Sequence, residues 1–177
     1  MPAENQFDRL FDDFADEAFR LETLPGYNVG GDADRLTRYR SGAFLPEPPI
    51  PGVDFVQAMV GPHRRTTLVR LINEPLTIDQ RLSIDWVYPH HAAAGREISI
   101  LAPGSKVASQ AADVGDFWLF DSKAVALMRY AADGSFDGVE IITGDDQVKP
   151  FLKLREQLLS TATPFRTWLA HWREKAR

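Results

Sequence analysis

The stretch over residues 116–142 constrains the fold more than any other, because three short apolar runs alternate in it with turn residues. The runs are Phe117–Phe120, Ala124–Tyr130 and Val139–Ile142. Between the last two runs, Asp133-Gly134 supplies the positive φ angles that a tight hairpin needs. Both faces of the middle run are apolar, which is typical of a strand covered on both sides. The pattern predicts an antiparallel meander.

Two further β-prone runs, Thr66–Ile72 and Glu97–Leu101, complete the predicted sheet. Helices are expected before, between and after the strands, and the short connections disfavour a doubly wound sheet. The chain has 177 residues, of which 44% are hydrophobic, and this suffices for one domain with its own core. We therefore expect a single α+β domain over residues 1–177. Its sheet is expected to be mainly antiparallel and five-stranded, with flanking helices and helical termini.

The first helix is predicted over Asn5–Thr23, where apolar residues recur at helical spacing. Its apolar stripe consists of Phe7, Leu10, Phe11, Phe14, Ala18 and Leu21. Acidic residues, among them Asp12 and Asp16, cover much of the remaining surface. This acidic face is compatible with docking of a basic protein partner, but a solvated helix face is the more ordinary interpretation.

Other helices are predicted over Asp32–Arg40, over Val53–Val60 and from a capping box at Thr77 to Val87 or Tyr88. Pro89 is expected to end the third of these, because the residue before a proline avoids helical geometry. Three further segments are an internal proline-rich loop over residues 46–52, a small-residue loop over Ala102–Gly115 and a C-terminal helix over residues 164–177. The last helix either lies at the periphery or packs back onto the domain.

Composition narrows the classes of function. The chain has no cysteine, which excludes disulfides, thiolate zinc sites and cysteine nucleophiles, and is consistent with a cytoplasmic location. The N-terminal residues lack the pattern of a signal peptide, and no apolar run approaches membrane-spanning length. The formal net charge of -5 argues against a general nucleic-acid binder.

Arginines near the first predicted strand are candidates for ligand binding. Arg64 and Arg65 form a basic turn, and Arg70 shares a strand face with Leu68 and Ile72. A partly buried arginine needs an acidic partner, which is either a residue of the protein or the carboxylate or phosphate of a ligand. One hypothesis therefore places Arg64, Arg65 and Arg70 around a phosphate-bearing ligand.

Carboxylates are the candidates for catalysis. Asp121 follows one predicted strand, while Glu140 and Glu97 lie on two others. If these three carboxylates converge, they are able to hold Mg²⁺ for phosphodiester cleavage. No other metal-ligand spacing, nucleotide-binding fingerprint or hydrolase motif is present, so no metal or cofactor is implied outside this alternative.

Several motifs together resemble an uncharacterised family of small actinobacterial proteins. They are Phe19-Arg20-Leu21-Glu22 with Tyr27, Val69-Arg70, Glu74-Pro75-Leu76-Thr77, Gly95-Arg96-Glu97-Ile98 and Asp116-Phe117-Trp118-Leu119-Phe120-Asp121. This family usually has two acids where the chain has Arg96-Glu97, so a shared acidic metal ligand is not expected here. The resemblance implies genes beside helix-turn-helix regulators and their small companions, in sporulation-type or toxin–antitoxin-like loci.

The leading hypothesis is a non-enzymatic regulatory component that binds a protein partner, such as the neighbouring helix-turn-helix regulator or its small companion. It depends on the resemblance, on the acidic helix and on the missing catalytic motifs. The alternatives are a metal-dependent nuclease or other hydrolase and a binder of a phosphate-bearing ligand.

Overall fold

A computed structural model describes residues 2–28, 32–42, 50 and 52–175 of the chain. Its sheet is formed by β1 (Glu17–Glu22), β2 (Arg65–Leu71), β3 (Glu97–Leu101), β4 (Phe117–Phe120), β5 (Ala124–Tyr130), β6 (Phe136–Ile142) and β7 (Thr163–Pro164). The strand order is β6-β5-β4-β1-β2-β3-β7.

The sheet is mixed, which corrects the prediction of a mainly antiparallel five-stranded sheet. Strands β1, β2 and β3 run parallel, whereas the meander β4-β5-β6 and the short β7 pair in the antiparallel sense. All five predicted strands are present, and the α+β class is confirmed. Strands β1 and β7 were not expected, and β1 lies in the middle of the sheet between β2 and β4.

Strand β1 occupies the second half of the segment that was predicted as one long helix. The helix α1 (Pro2–Asp13) ends before Phe14, and a bend leads into the strand. The prediction failed because Phe14, Ala18 and Leu21 also fit helical spacing. Phe19, which lies outside that stripe, is fully buried, as expected for a central strand that is covered on both faces.

Helices cover both faces of the sheet. After α1, they are α2 (Asp32–Arg40), α3 (Val53–Met59), α4 (Ile78–Leu82), a π-helix (Ser83–Val87), α5 (Tyr88–Ala93), α6 (Lys106–Val114), α7 (Asp145–Thr161) and α8 (Phe165–Lys175). The back face, which carries Phe19, Val69 and Phe117, packs against α6 and α7. The front face, which carries Arg20, Leu68 and Trp118, is covered by α1, α3, α4, the π-helix, α5 and α8.

Two predictions about segments between the strands were wrong, one of a loop and one of a helix end. A third prediction, of a proline-rich loop, falls mostly outside the described residues. The small-residue segment Ala102–Gly115 contains α6, because Ser105 caps the helix and Ala108 and Ala111 form its buried side. Pro89 does not end the helical region, because α5 begins anew after the π-helix and places the proline in its first turn. The proline-rich loop expected over residues 46–52 lies outside the described residues, except for positions 50 and 52.

The turns of the meander agree with the sequence. Asp121 and Ser122 have positive φ angles of 49° and 60°, and the Lys123 amide donates to the Phe120 carbonyl at 2.9 Å. This is the geometry of a type I′ turn, which matches the twist of the flanking strands. The second turn contains Gly134 with a φ of 81°.

Two separate apolar clusters lie on the front face. The first joins α1 and α3 to the meander and includes Phe14, Met59 and Trp118. The second joins α5 and α8 to β2 and β3 and includes Leu68 and Phe165. Charged and tyrosine side chains lie between the two clusters, and they form the candidate site.

Candidate functional site

A polar cluster lies on the front face at the carboxyl ends of β1 and β2. It consists of Arg20, Glu22, Tyr27, Arg70, Tyr88, Arg96, Asp116 and Tyr130. The strand register explains this convergence, because Arg20 is the direct neighbour of Leu68 and Trp118, and Glu22 is the direct neighbour of Arg70. Neighbouring residues on paired strands point to the same face about 5 Å apart.

Asp116 is the acceptor at the centre of this cluster. One carboxylate oxygen accepts hydrogen bonds from Arg20 Nη2 and the Tyr27 hydroxyl, both at 2.7 Å. The other oxygen accepts the backbone amide and the hydroxyl of Thr23, both at 2.8 Å. The carboxylate therefore fixes the chain just after β1 and neutralises Arg20, which also donates to the Tyr130 hydroxyl at 2.9 Å.

Glu22 and Arg70 form a second pair of opposite charges. Arg70 donates to the Leu24 carbonyl at 2.6 Å and to the Tyr27 hydroxyl at 3.0 Å, and Glu22 accepts from the Tyr88 hydroxyl at 3.2 Å. Burial acts to raise the pKa of Glu22, but Arg70, Arg20 and Arg96 outweigh it and hold that pKa below its ordinary value. Glu22 is therefore an anion at neutral pH.

Arg96 is the third buried arginine, and it is the least compensated of the three. Its guanidinium lies 5.3 Å from the centre of the Trp118 ring, and the guanidinium of Arg20 lies 5.4 Å from the centre of the same ring. Burial lowers the pKa of Arg96 to about 10, because the attraction of Glu22 does not offset the loss of water and the repulsion from Arg20. Arg96 is still a cation at neutral pH.

A cavity of about 420 Å³ lies against the polar cluster. Because Arg20, Arg70 and Arg96 line it, we call it the arginine cavity. Every member of the cluster except Asp116 lines it, and Leu36, Leu68, Leu82 and Val87 form its apolar wall. Cavities of this size hold small organic molecules, and a few polar groups on an otherwise apolar lining set their orientation.

The arginines that line the cavity retain unused hydrogen-bond donors. Arg20, Arg70 and Arg96 are 4%, 2% and 7% exposed. Within the described part of the chain, four of their nitrogens have no hydrogen-bond partner: Arg20 Nη1, Arg70 Nε, and Arg96 Nε and Nη2. A buried donor without a partner costs about 1–3 kcal/mol, and more when it is charged. These donors are consequently suited to receive an anion.

The π-helix forms part of the cavity wall. Its Ser83 and Val87 line the cavity, and Tyr88 follows directly at the start of α5. The wider turn of a π-helix shifts the side chains that follow, and such turns occur frequently at functional sites. Tyr88, the first residue after this π-helix, donates its hydroxyl hydrogen bond to Glu22.

The structure brings only one of the three predicted ligand-binding arginines to this cavity. Arg70 lines it, whereas Arg64 and Arg65 lie at the opposite end of β2. Arg64 donates to the Phe11 carbonyl at 2.7 Å, and Arg65 is paired with Glu17 at 3.3 Å. A single ligand of the size of this cavity does not reach all three arginines.

The predicted partner-binding acids lie on the surface. Asp12 is exposed on α1, and Asp16 is exposed in the bend before β1. Both carboxylates are thus accessible to a protein partner, and neither residue lines the cavity beside the polar cluster.

The three predicted catalytic carboxylates are not brought together. Four strands separate Glu97 on β3 from Glu140 on β6, which corresponds to about 24 Å. Glu140 is exposed and bonded to Arg129. Asp121 accepts the backbone amides of residues 15, 16 and 17 at 2.7 to 2.9 Å, so this carboxylate holds a turn in place. Among the described residues, no group of three metal-binding side chains is present.

Arg20, Glu22, Arg96 and Asp116 were not predicted as site residues. Arg20 and Glu22 fell within the supposed first helix, where charged residues are ordinary. Arg20 and Asp116, which bond directly, are 96 residues apart in the sequence, and no local pattern links them. The available signal was their position inside or beside apolar strand runs, where a charge requires a partner.

Comparison with models of known protein families shows the family to which the chain belongs. A family model described as "Domain of unknown function (DUF6879)" matches residues 5–170, which include every strand and every residue of the polar cluster. The chain belongs to this family. The resemblance noted in the sequence to an uncharacterised family is thereby confirmed at the level of a domain of unknown function.

Other comparisons add a distant structural likeness. No curated protein matches the DUF6879 chain. Its structure is similar to that of TrmBL2, an archaeal chromatin protein whose structure shows a novel mode of DNA binding. The two chains are 10% identical with a TM-score of 0.47, over 92% of this chain and 49% of that chain. The DUF6879 chain thus spans about half the length of the chromatin protein.

None of the helices in the described ranges is long and apolar enough to cross a membrane.

Proposed function

We propose that the DUF6879 domain binds a small anionic molecule in the arginine cavity, as a non-enzymatic regulatory component of the cytoplasm. One observation carries the proposal: three buried arginines line one cavity, and four of their guanidinium nitrogens have no partner in the described residues. The proposal keeps Arg70 from the predicted arginine set and replaces Arg64 and Arg65 by Arg20 and Arg96.

The charge of the site supports binding of an anion. Three buried cations face two anions, the partly buried Glu22 and the buried Asp116, so one positive charge is not balanced within the cluster. An unbalanced buried charge is unfavourable, because it loses its hydration without gaining a partner. A bound anion supplies both the missing charge and the missing hydrogen-bond acceptors.

A ligand-capture experiment tests this function. Purified protein is equilibrated with a metabolite extract and separated from free small molecules, and the retained molecules are identified by mass spectrometry. The same procedure is applied to Arg96→Gln and to Arg129→Gln, which alters an exposed arginine on β5. We expect an anionic metabolite that is retained by the wild type and by Arg129→Gln but lost from Arg96→Gln. Retention of no anion, or equal retention by all three proteins, contradicts the proposal.

A second candidate function is binding of a protein partner through the acidic surface. This surface consists of Asp8, Asp12, Asp13, Asp16 and Asp54, all of them exposed. Phe55, which is 43% exposed, lies beside it and contacts Phe11 at a ring distance of 5.1 Å. An exposed aromatic side chain with acidic neighbours suits a basic segment of a partner, such as a DNA-binding regulator or its small companion.

Charge reversal tests the second candidate. The double variant Asp12→Lys/Asp16→Lys is compared with Asp145→Lys/Asp146→Lys, which reverses two exposed acids at the start of α7. We expect the first double variant alone to lose a basic partner in pull-down experiments, and the wild-type interaction to weaken as salt is added. A partner that both double variants retain does not bind the acidic surface.

A further inference from the structure

The chemical class of the ligand follows from the charge and the donor geometry of the cavity. We infer that the ligand is a monocarboxylate with an apolar body, held by the side edge of the Arg96 guanidinium. This inference rests on the proposed function, because it specifies the anion that the arginine cavity receives.

The charge balance favours a singly charged ligand. Arg20, Arg70 and Arg96 exceed Glu22 and Asp116 by one positive charge. Arg35 and Asp79 also line the cavity, and their opposite charges cancel. A carboxylate at neutral pH carries one negative charge and makes the cluster neutral. A phosphate monoester carries close to two, and would leave one excess negative charge among the buried side chains of the cluster.

The donor geometry favours a carboxylate. The two unpartnered nitrogens of Arg96 are Nε and Nη2, which form one side edge of the planar guanidinium. Two parallel N–H groups match the two oxygens of a carboxylate, and such a bidentate pair gives geometric specificity as well as energy. Both nitrogens are buried, so the guanidinium has to turn toward the cavity as the carboxylate enters.

The remaining lining favours an apolar body on the ligand. Leu36, Leu82 and Val87 come from three different helical segments and form one apolar wall. Tyr88 and Tyr27 add ring surface, while their hydroxyls already donate to Glu22 and Asp116. Burial raises the pKa of Tyr88 and of Tyr27, with Glu22 adding to the effect, so both remain neutral near pH 7. An aryl or alkyl group fits such a surface better than a sugar does.

Calorimetric titration with matched probes tests the class. The probes are benzoate and octanoate as monocarboxylates, phenyl phosphate as a dianion, and benzamide as a neutral analogue of benzoate. Each is titrated into the wild type, into Arg96→Lys, which keeps the charge but removes the planar pair of donors, and into Arg129→Lys as a surface control. Circular dichroism and thermal unfolding check that the variants are folded, and Arg96→Gln replaces Arg96→Lys if the latter is not.

We expect at least one monocarboxylate to bind, about tenfold or more weakly to Arg96→Lys than to the wild type, with Arg129→Lys unchanged. Benzamide is expected not to bind. If phenyl phosphate binds through Arg96 and neither carboxylate does, the carboxylate inference is wrong and the proposed anion-binding function stands. If no probe binds in an Arg96-dependent manner, the carboxylate inference is wrong, and ligand capture with Arg96→Gln decides whether the cavity binds another anion.

Discussion

At the scale of single residues, the buried charges of this protein differ in whether the protein itself supplies their hydrogen-bond and ion-pair partners. Asp116 has four hydrogen-bond donors and a direct ion pair with Arg20, so its charge is satisfied by the protein. Arg96 has no such partner within the described residues, because Nε and Nη2 lack acceptors. A satisfied charge stabilises the fold around it, whereas an unsatisfied charge beside a cavity indicates binding.

Replacing Asp116 by Asn should therefore be strongly destabilising. The variant leaves Arg20 buried without its anion, and loss of one partner of a buried ion pair costs about 3–5 kcal/mol. Urea denaturation measures the free energy of unfolding. Glu140→Gln is the matched control, because Glu140 pairs with Arg129 on the surface and its loss should cost less than about 1 kcal/mol. Equal effects of the two substitutions would show that Asp116 does not stabilise the cluster.

Asp121 should make stability depend on acid pH. Burial acts to raise the pKa of Asp121, but the backbone amides of residues 15, 17 and 16 outweigh it and hold that pKa below the ordinary value of 3.8. A carboxyl group with a lowered folded pKa stabilises above its unfolded pKa, and this stabilisation is lost as the pH falls through the folded pKa.

Asp121→Asn isolates this contribution, since asparagine also accepts the positive φ of 49° at this position. We expect the wild type to exceed the variant by about 1–2 kcal/mol in the free energy of unfolding at pH 6–8. The difference should shrink as the pH falls below about 4. Urea denaturation across this pH range measures both curves. A difference that does not change with pH would mean that the carboxylate charge is not involved.

At the scale of secondary-structure elements, the sequence predicts strands that pair with their neighbours along the chain. It fails for a strand whose partners are distant in the sequence. The meander β4-β5-β6 was predicted because the turn residues between its apolar runs, among them Asp133-Gly134, lie next to the strands that they connect. Strand β1 pairs with β2 and β4, both far away in the sequence. Its own pattern misled, because Phe14, Ala18 and Leu21 continue the helical spacing of α1, and the alternation over Phe19–Glu22 is only four residues long.

Phe19→Ala distinguishes the observed strand from the predicted helix. Phe19 is fully buried on the back face and lies 5.8 Å from the Phe117 ring, so we expect a loss of about 3–5 kcal/mol in the free energy of unfolding. The control is Phe55→Ala, which removes a ring that is 43% exposed and should cost about 1 kcal/mol. Denaturation midpoints of the two variants make the comparison. If residues Asn5–Thr23 formed one helix, Phe19 would lie off its apolar stripe. Phe19→Ala would then lower the free energy of unfolding no more than Phe55→Ala does, and this result would contradict the strand.

At the scale of the whole molecule, an acidic protein encloses a basic cavity. The chain carries a formal net charge of -5, yet the buried cluster on the front face is positive by one charge. The sequence singled out Arg70 as a residue that needs an acidic or ligand partner, because it interrupts an apolar strand, and the structure buries it on the front face. The sequence did not reveal that Arg20 and Arg96 join it, since this depends on the parallel order of β1, β2 and β3.

Scanning calorimetry of the wild type and Arg96→Met, with and without benzoate or phenyl phosphate, tests most directly whether the arginine cavity is an anion site. Methionine keeps the approximate length of the side chain and removes the unbalanced charge. Without an anion, we expect Arg96→Met to unfold about 2 °C or more above the wild type, because an uncompensated buried cation is gone. An anion should raise the unfolding temperature of the wild type and leave that of the variant unchanged. If Arg96→Met instead unfolds at a lower temperature, and neither anion stabilises the wild type, Arg96 is a structural residue and the cavity is not an anion site.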